Sequence, residues 1–200
     1  IANSETPARY VAADLLAQAE HDMSSSAILI TTNPAYAREV QIEVQKRLSV
    51  LPRKDIAEKS LEKYGAIFVV SSLEQACGLA NHIAPEHIEI MVNDEEKVAA
   101  NITNAGAIFL GPYSCEAVGD YLAGPNHVLP TGGTARFFSP LGVYDFVKRT
   151  NIIKYNKAKL EKTIAAVVGL AESEGLLGHA RAAMVRFEMD QAEQRATRPL

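Results

Sequence analysis

Two hundred residues, 48% of them hydrophobic, are enough to bury a sizeable core, either as one domain with an extension or as two small ones. The net charge of -4 and a pI near 5.8, with acids and bases interspersed, leave no basic stripe for a phosphate backbone, so nucleic acid is excluded as the expected partner. No apolar run reaches membrane-spanning length and no secretory leader heads the sequence, so Cys77 and Cys115 are expected as reduced thiols in a cytoplasmic protein.

In chain order, Val11, Leu15, Leu16 and Ala19 recur at helical spacing after Pro7 and predict a helix ending near Asp22. Ala27 to Thr31 is a short continuous apolar run, as in a strand buried on both faces. Asn33-Pro34 opens an amphipathic helix with Val40, Val44 and Leu48 on one side, stopped before Pro52. A charged helix, Lys54 to Tyr64, leads through Gly65 into a second buried-type strand, Ala66 to Val70. Ser71 or Ser72 can cap the next helix, which runs to about Ile83. A strand from His87 to Val92, a helix from Asp94 to Thr103 and a strand from Ala107 to Leu110 follow. Strands alternating with helices imply crossover units, hence an α/β domain with a mostly parallel sheet and helices on both faces. Ligands in such sheets sit beyond the carboxyl ends of the strands.

After Pro140 the pattern changes. Asn151 to Tyr155 reads as one more strand, Lys157 to Ser173 as a helix with Leu160, Ile164, Val167, Val168 and Leu170 on its apolar face, and Leu176 to about Glu188 as a helix beyond the Gly175 break. Gln191 to Leu200 is polar and reads as a frayed end. The division drawn from this change is an α/β domain over residues 1–141 and a strand-plus-helices extension over 142–200.

The run Gly119 to Gly133, GDYLAGPNHVLPTGG, joins an acid (Asp120) and an imidazole (His127) to stiff or permissive backbone positions, which reads either as a functional loop or as a punctuated surface turn. Gln18 and His21, at i and i+3, point from one helix face. They form a metal-holding pair or a polar helix end with His21 against the negative end of the dipole, and Glu20 and Asp22 are closer than Gln18 to the usual zinc ligands. Ala84-Pro85-Glu86-His87 sets an acid beside an imidazole where a helix gives way to a strand. Adjacent residues there point to opposite sides, so Glu86 and His87 serve different tasks or both face solvent, and His87 suits a general base. Glu174 and His179 flank Gly175 and Gly178 and read as surface residues or as part of a site. The sequence carries no Gly-rich phosphate loop of standard spacing and no nucleophile elbow.

Taken together, QAEHD at Gln18 to Asp22, APEH at Ala84 to His87, GDYLAGPNHVLPTGGTARF at Gly119 to Phe137, DFVKRT at Asp145 to Thr150 and EGLLGHARA at Glu174 to Ala182 resemble histidinol dehydrogenase, in order from about residue 7 to residue 188. The resemblance implies NAD- and zinc-dependent oxidation of L-histidinol through the aldehyde to L-histidine, the last step of histidine biosynthesis, and an incomplete Rossmann-like domain with a helical C-terminal extension. It implies Gln18, His21, Asp120 and His179 as zinc ligands and His87 as the base for the hydroxyl proton. Glu86 would activate water in the second oxidation, and His87, Asp120, His127, Glu174 and His179 would contact substrate. The family forms homodimers in which the tail of one subunit completes the other's site, so Glu174 and His179 would act across the interface.

Members of the family are about twice this length, and Ile stands at position 1, so the resemblance is to the carboxyl-terminal half, without most of the NAD contacts. Cys115 stands where many relatives have Pro, and Phe138 where Ser is usual. Two other readings remain: a related zinc-dependent alcohol dehydrogenase acting on another small alcohol such as a sulfonated diol, and a non-catalytic zinc-binding fragment. His127 and Glu174 favour histidinol because they suit an amino-imidazole substrate.

Overall fold

A computed structural model describes residues 1–188. The chain divides into two compact units, Ile1–Val147 and a second that begins at Lys148, so the first runs a few residues past the boundary drawn from the sequence. Its core is α/β.

Helix α1 (Ala8–His21) starts after Pro7, whose φ of -57° suits a helix start. Strand β1 (Ile28–Thr31) follows, then α2 (Pro34–Leu48), capped by the Asn33 side chain, which accepts from the backbone N–H of Ala35 and Tyr36. Helix α3 (Lys54–Tyr64) leads to β2 (Ala66–Val69), which pairs parallel with β1. Ser72 rather than Ser71 caps α4 (Leu73–Ile83), accepting from Gln75 N–H. Strand β3 (His87–Ile90), helix α5 (Glu95–Ala99), strand β4 (Ala107–Leu110) and helix α6 (Glu116–Tyr121) complete the regular elements of this unit, with β3 and β4 parallel.

The two parallel pairs are bridged by the first two residues. Ala2 pairs parallel with Met91 and donates its N–H to Ile30 O, while Ile1 O accepts from Met91 N–H. Side-chain alternation then sorts the core onto two faces. Leu29 and Met91 pack with Val11, Ala12, Tyr36 and Val40 from α1 and α2. Ile30, Ile88 and Ile90 pack with Ala76, Cys77 and Ala80 of α4 and with Val98 of α5. A third cluster of Leu16, Ala19, Ala27 and Ala57 fastens α1 to α3. Helices therefore cover both faces of β1 and β3, as the strand-helix alternation implies.

Several sequence readings are corrected. The β2 strand is not buried on both faces, since Ile67, Phe68 and Val69 are 38–48% exposed; an apolar run reports composition, not coverage. Helix α5 ends at Ala99 instead of Thr103 because the Asn101 side chain donates back to Lys97 O, competing with the helical ladder. Gly119 to Tyr121, read as loop, forms the end of α6.

In the second unit, Asn151 to Tyr155 is no strand: it has no ladder partner among the described residues, and Ile152 and Ile153 are exposed. A strand without an edge to pair with leaves its backbone groups to solvent. Helix α7 (Lys157–Ser173), capped by Asn156, and helix α8 (Leu177–Met184) form a hairpin around buried Ala171, Ala180 and Ala183. The last helix is thus shorter than the Leu176–Glu188 reading, with a 3₁₀ turn at Val185–Phe187. The frayed-end reading for Gln191 to Leu200 lies outside the described residues.

Candidate active site

Strand β3 reads His-Ile-Glu-Ile, and its period of two puts Ile88 and Ile90 into the α4 side of the core and His87 and Glu89 onto the opposite face, toward α1. Helix α1 answers with Asp14, Gln18 and His21 at i, i+4 and i+7, one stripe of the helix. All five side chains, with Glu86 and Glu116, line a cavity of about 700 Å³ whose lining also includes Gly132 and Gly133.

The turn delivering Glu86 and His87 is strained. Ala84 closes α4 in the left-handed region at φ 52°, ψ 63°, with its N–H on Ala80 O and only 1% exposed. For a residue with a Cβ this conformation costs about 1–2 kcal/mol, and such strain collects where a site needs a fixed geometry. Gly106 admits the same turn, because a Cβ there would lie 2.5 Å from Glu86 O and 3.1 Å from Pro130 Cδ. Arg136 holds the loop over the cavity, donating to Gly133 O and to His82 O at the end of α4.

Helix α6 brings in the remaining groups. Glu116 and Asp120, four residues apart, share one face. Glu116 Oε1 lies 3.5 Å from His87 Nδ1, and Asp120 Oδ1 lies 2.8 Å from His127 Nδ1. The His127 ring stacks near His87 at 6.1 Å and 15°. On the other side of His87, Phe109 of β4 approaches to 5.8 Å. Both ring nitrogens of His87 are buried without a hydrogen bond, a costly state for a polar group and one a ligand would relieve.

Burial drives the local electrostatics. It pushes the Asp14 carboxyl up to about 6, against the pull of its side-chain hydrogen bond with Glu89. Glu89 rises to about 7, first through burial and then through the nearby Asp14 charge. Burial also raises Glu116, opposed by His87, with Asp120, Glu86 and His21 close enough to contribute.

Of the residues singled out in the sequence, Gln18, His21, Glu86 and His87 thus share one cavity, and Asp120 and His127 join them through His87. Glu174 caps the end of α7 and His179 lies in the first turn of α8, both exposed on the second unit. Within the first unit, His87, Asp120 and His127 also place one donor atom each within 4.8 Å of one another. Their nitrogen and oxygen donors are of the kind zinc takes, and of the three only Asp120 belongs to the Gln18, His21, Asp120 and His179 set that the resemblance implies. Cys115 precedes α6 with no side-chain cap bond, and Phe138 packs edge-on against Phe137.

Sequence reading missed Asp14, Glu89 and Glu116. The legible signal was acidic residues on surfaces otherwise destined for the core: Glu89 alternating with Ile88 and Ile90, and Asp14 one turn before Gln18.

The family model described as Histidinol dehydrogenase matches residues 1–187. The chain is 54% identical over 188 residues to a histidinol dehydrogenase of Bacillus cereus and 54% identical over 188 residues to that of Halalkalibacterium halodurans. Each match covers 94% of this chain and 44% of the relative, so the chain spans under half the length of the curated relatives it matches. A crystal structure of histidinol dehydrogenase from Elizabethkingia anophelis superposes with a TM-score of 0.88 at 38% identity, over 93% of this chain and 43% of that one. With residues 1–187 of its 200 matched by the family model, the chain belongs to the histidinol dehydrogenase family.

Proposed function

We propose that this chain is the carboxyl-terminal half of a cytoplasmic histidinol dehydrogenase that oxidises L-histidinol through L-histidinaldehyde to L-histidine with NAD and zinc. The observation that supports this reading is the convergence of Gln18, His21, Glu86 and His87 on one cavity, with the Asp120–His127 pair beside His87. Gln18, His21, Asp120 and, from a neighbouring copy, His179 would hold the zinc, which when bound orients the substrate through its nitrogen atoms. NAD supplies the hydride acceptor, and its contacts belong mostly to the part of the enzyme this chain does not span.

This chain's own residues handle protons and position. A ring nitrogen of His87 takes the hydroxyl proton in the first oxidation, and Glu116, 3.5 Å from the ring, stabilises the imidazolium so formed. Glu86 removes a proton from the water that adds to the aldehyde in the second. His127 and Glu174 contact the substrate along with His87, Asp120 and His179. The mostly apolar Phe109 and the Gly132–Gly133 turn limit water around His87. The second unit leaves Leu170 and Leu177 exposed on its helical hairpin, which suits an arm that packs on a second copy. Homodimerisation would then carry Glu174 and His179 into the neighbouring site.

The test is NADH formation with L-histidinol by the full-length enzyme and by this chain alone. The full-length enzyme turns over and the chain alone does not. His87→Ala abolishes the first oxidation with zinc retained. Turnover of a sulfonated diol with none of histidinol would overturn the substrate assignment.

A further inference from the structure

We propose that Glu89 is a positioning residue of this site, holding α6 so that Glu116 and Asp120 stand at working distance from His87. The inference rests on the reading above for its reaction but on separate contacts for its geometry. The residue before α6, Cys115, gives that helix no side-chain cap. In its place the Glu89 carboxylate reaches across from β3 and accepts the backbone N–H of Glu116 at 2.9 Å. An orphan donor at the helix start is thereby satisfied from another element.

The consequence is geometric. His87 and Glu89 stand two residues apart on one strand face, and Glu116 and Asp120 one turn apart on one helix face. One hydrogen bond between those faces therefore joins the packing of Gly119 on Phe109 in setting the Glu116–His87 separation of 3.5 Å and, through the helix, the place of Asp120 and its partner His127. Glu89 also meets Asp14, the first residue of the α1 stripe that carries Gln18 and His21. The three elements that supply the site thus meet at one carboxyl group, which lines the cavity but has no step in the reaction above. Displacing catalytic groups by about 1 Å can cost about a hundredfold in rate.

The experiment compares Glu89→Gln, Glu89→Ala and Glu89→Asp in the full-length enzyme, by histidinol oxidation and by titration of the metal-free enzyme with Co²⁺ alone. Glu89→Gln keeps an oxygen acceptor for the Glu116 N–H, so it retains kcat and Co²⁺ affinity within about threefold. Glu89→Ala lowers kcat by about 10- to 100-fold with KM within about threefold, and weakens Co²⁺ binding by a similar factor. Should Glu89→Ala not fold, Glu89→Asp carries the test, since its carboxylate stops one methylene short and gives the same loss. Unchanged kcat and Co²⁺ affinity in the folded Ala or Asp variant overturns the proposal, as does a Gln variant no better than Ala. Absence of histidinol turnover by the wild-type enzyme would refute the reading of function and leave the Co²⁺ comparison to decide on Glu89.

Discussion

Gly119 should be irreplaceable because of one aromatic ring. It lies inside α6 between Glu116 and Asp120, where glycine costs about 0.5–1 kcal/mol relative to alanine. A Cβ at this position would fall 2.6 Å from Phe109 Cε1 and 2.7 Å from its Cζ, well inside van der Waals contact. Gly119→Ala must therefore push α6 off β4 or drive the Phe109 ring toward His87, from which it is 5.8 Å. Overpacking of this kind costs about 1–3 kcal/mol, and the helix-propensity gain offsets about 0.5–1 of that, leaving a net loss of about 0–2.5 kcal/mol. Because the moving helix carries Glu116 and Asp120, kcat should fall by about tenfold or more even where stability barely changes.

Phe109→Leu separates the clash from any intrinsic effect, since leucine lacks the two ring atoms concerned. In that background Gly119→Ala should be neutral or stabilising by up to about 1 kcal/mol. Urea denaturation and histidinol kinetics on the four proteins of the cycle give the coupling directly. If Gly119→Ala alone is as stable and active as wild type, the contact does not govern α6 and the reasoning fails.

Stability of the zinc-free protein should depend on pH through Asp14. Its carboxyl holds its proton up to about pH 6 when folded and Glu89 up to about 7, against about 4 when unfolded, so the folded state binds more protons across that window. Their contribution is greatest below about pH 4 and declines as pH rises to about 7, by at most about 1.4 kcal/mol per pH unit for each proton and less for the part-exposed Asp14. Urea midpoints of Asp14→Asn should flatten this decline; curves parallel to wild type would rule it out. Glu86→Gln should slow oxidation of the aldehyde more than its formation, measured by single-turnover NADH release with each substrate, and equal loss of both steps would remove the assigned role. A dimer-breaking variant should bind zinc with fewer ligands and weaker affinity, because His179 is then not supplied; undiminished affinity in a metal titration would refute that.

Much of the architecture was legible in the sequence because local chemistry dictates it. Asn33 and Ser72 cap helices with their own side chains, and Leu29 and Ile30 go to opposite faces because successive strand residues must. The motif dipeptide Glu86-His87 and the spaced pair Gln18/His21 were equally readable, as was the family they resemble. Coverage was not: β2 has the composition of a buried strand yet stands open, since burial depends on what packs above it. Nor was the failed strand at Asn151 to Tyr155, where propensity had no edge to pair with. Only the tertiary structure brings Asp14, Glu89 and Glu116 together, residues 27 to 102 positions apart, because contacts across elements depend on how strand and helix faces meet rather than on any local pattern.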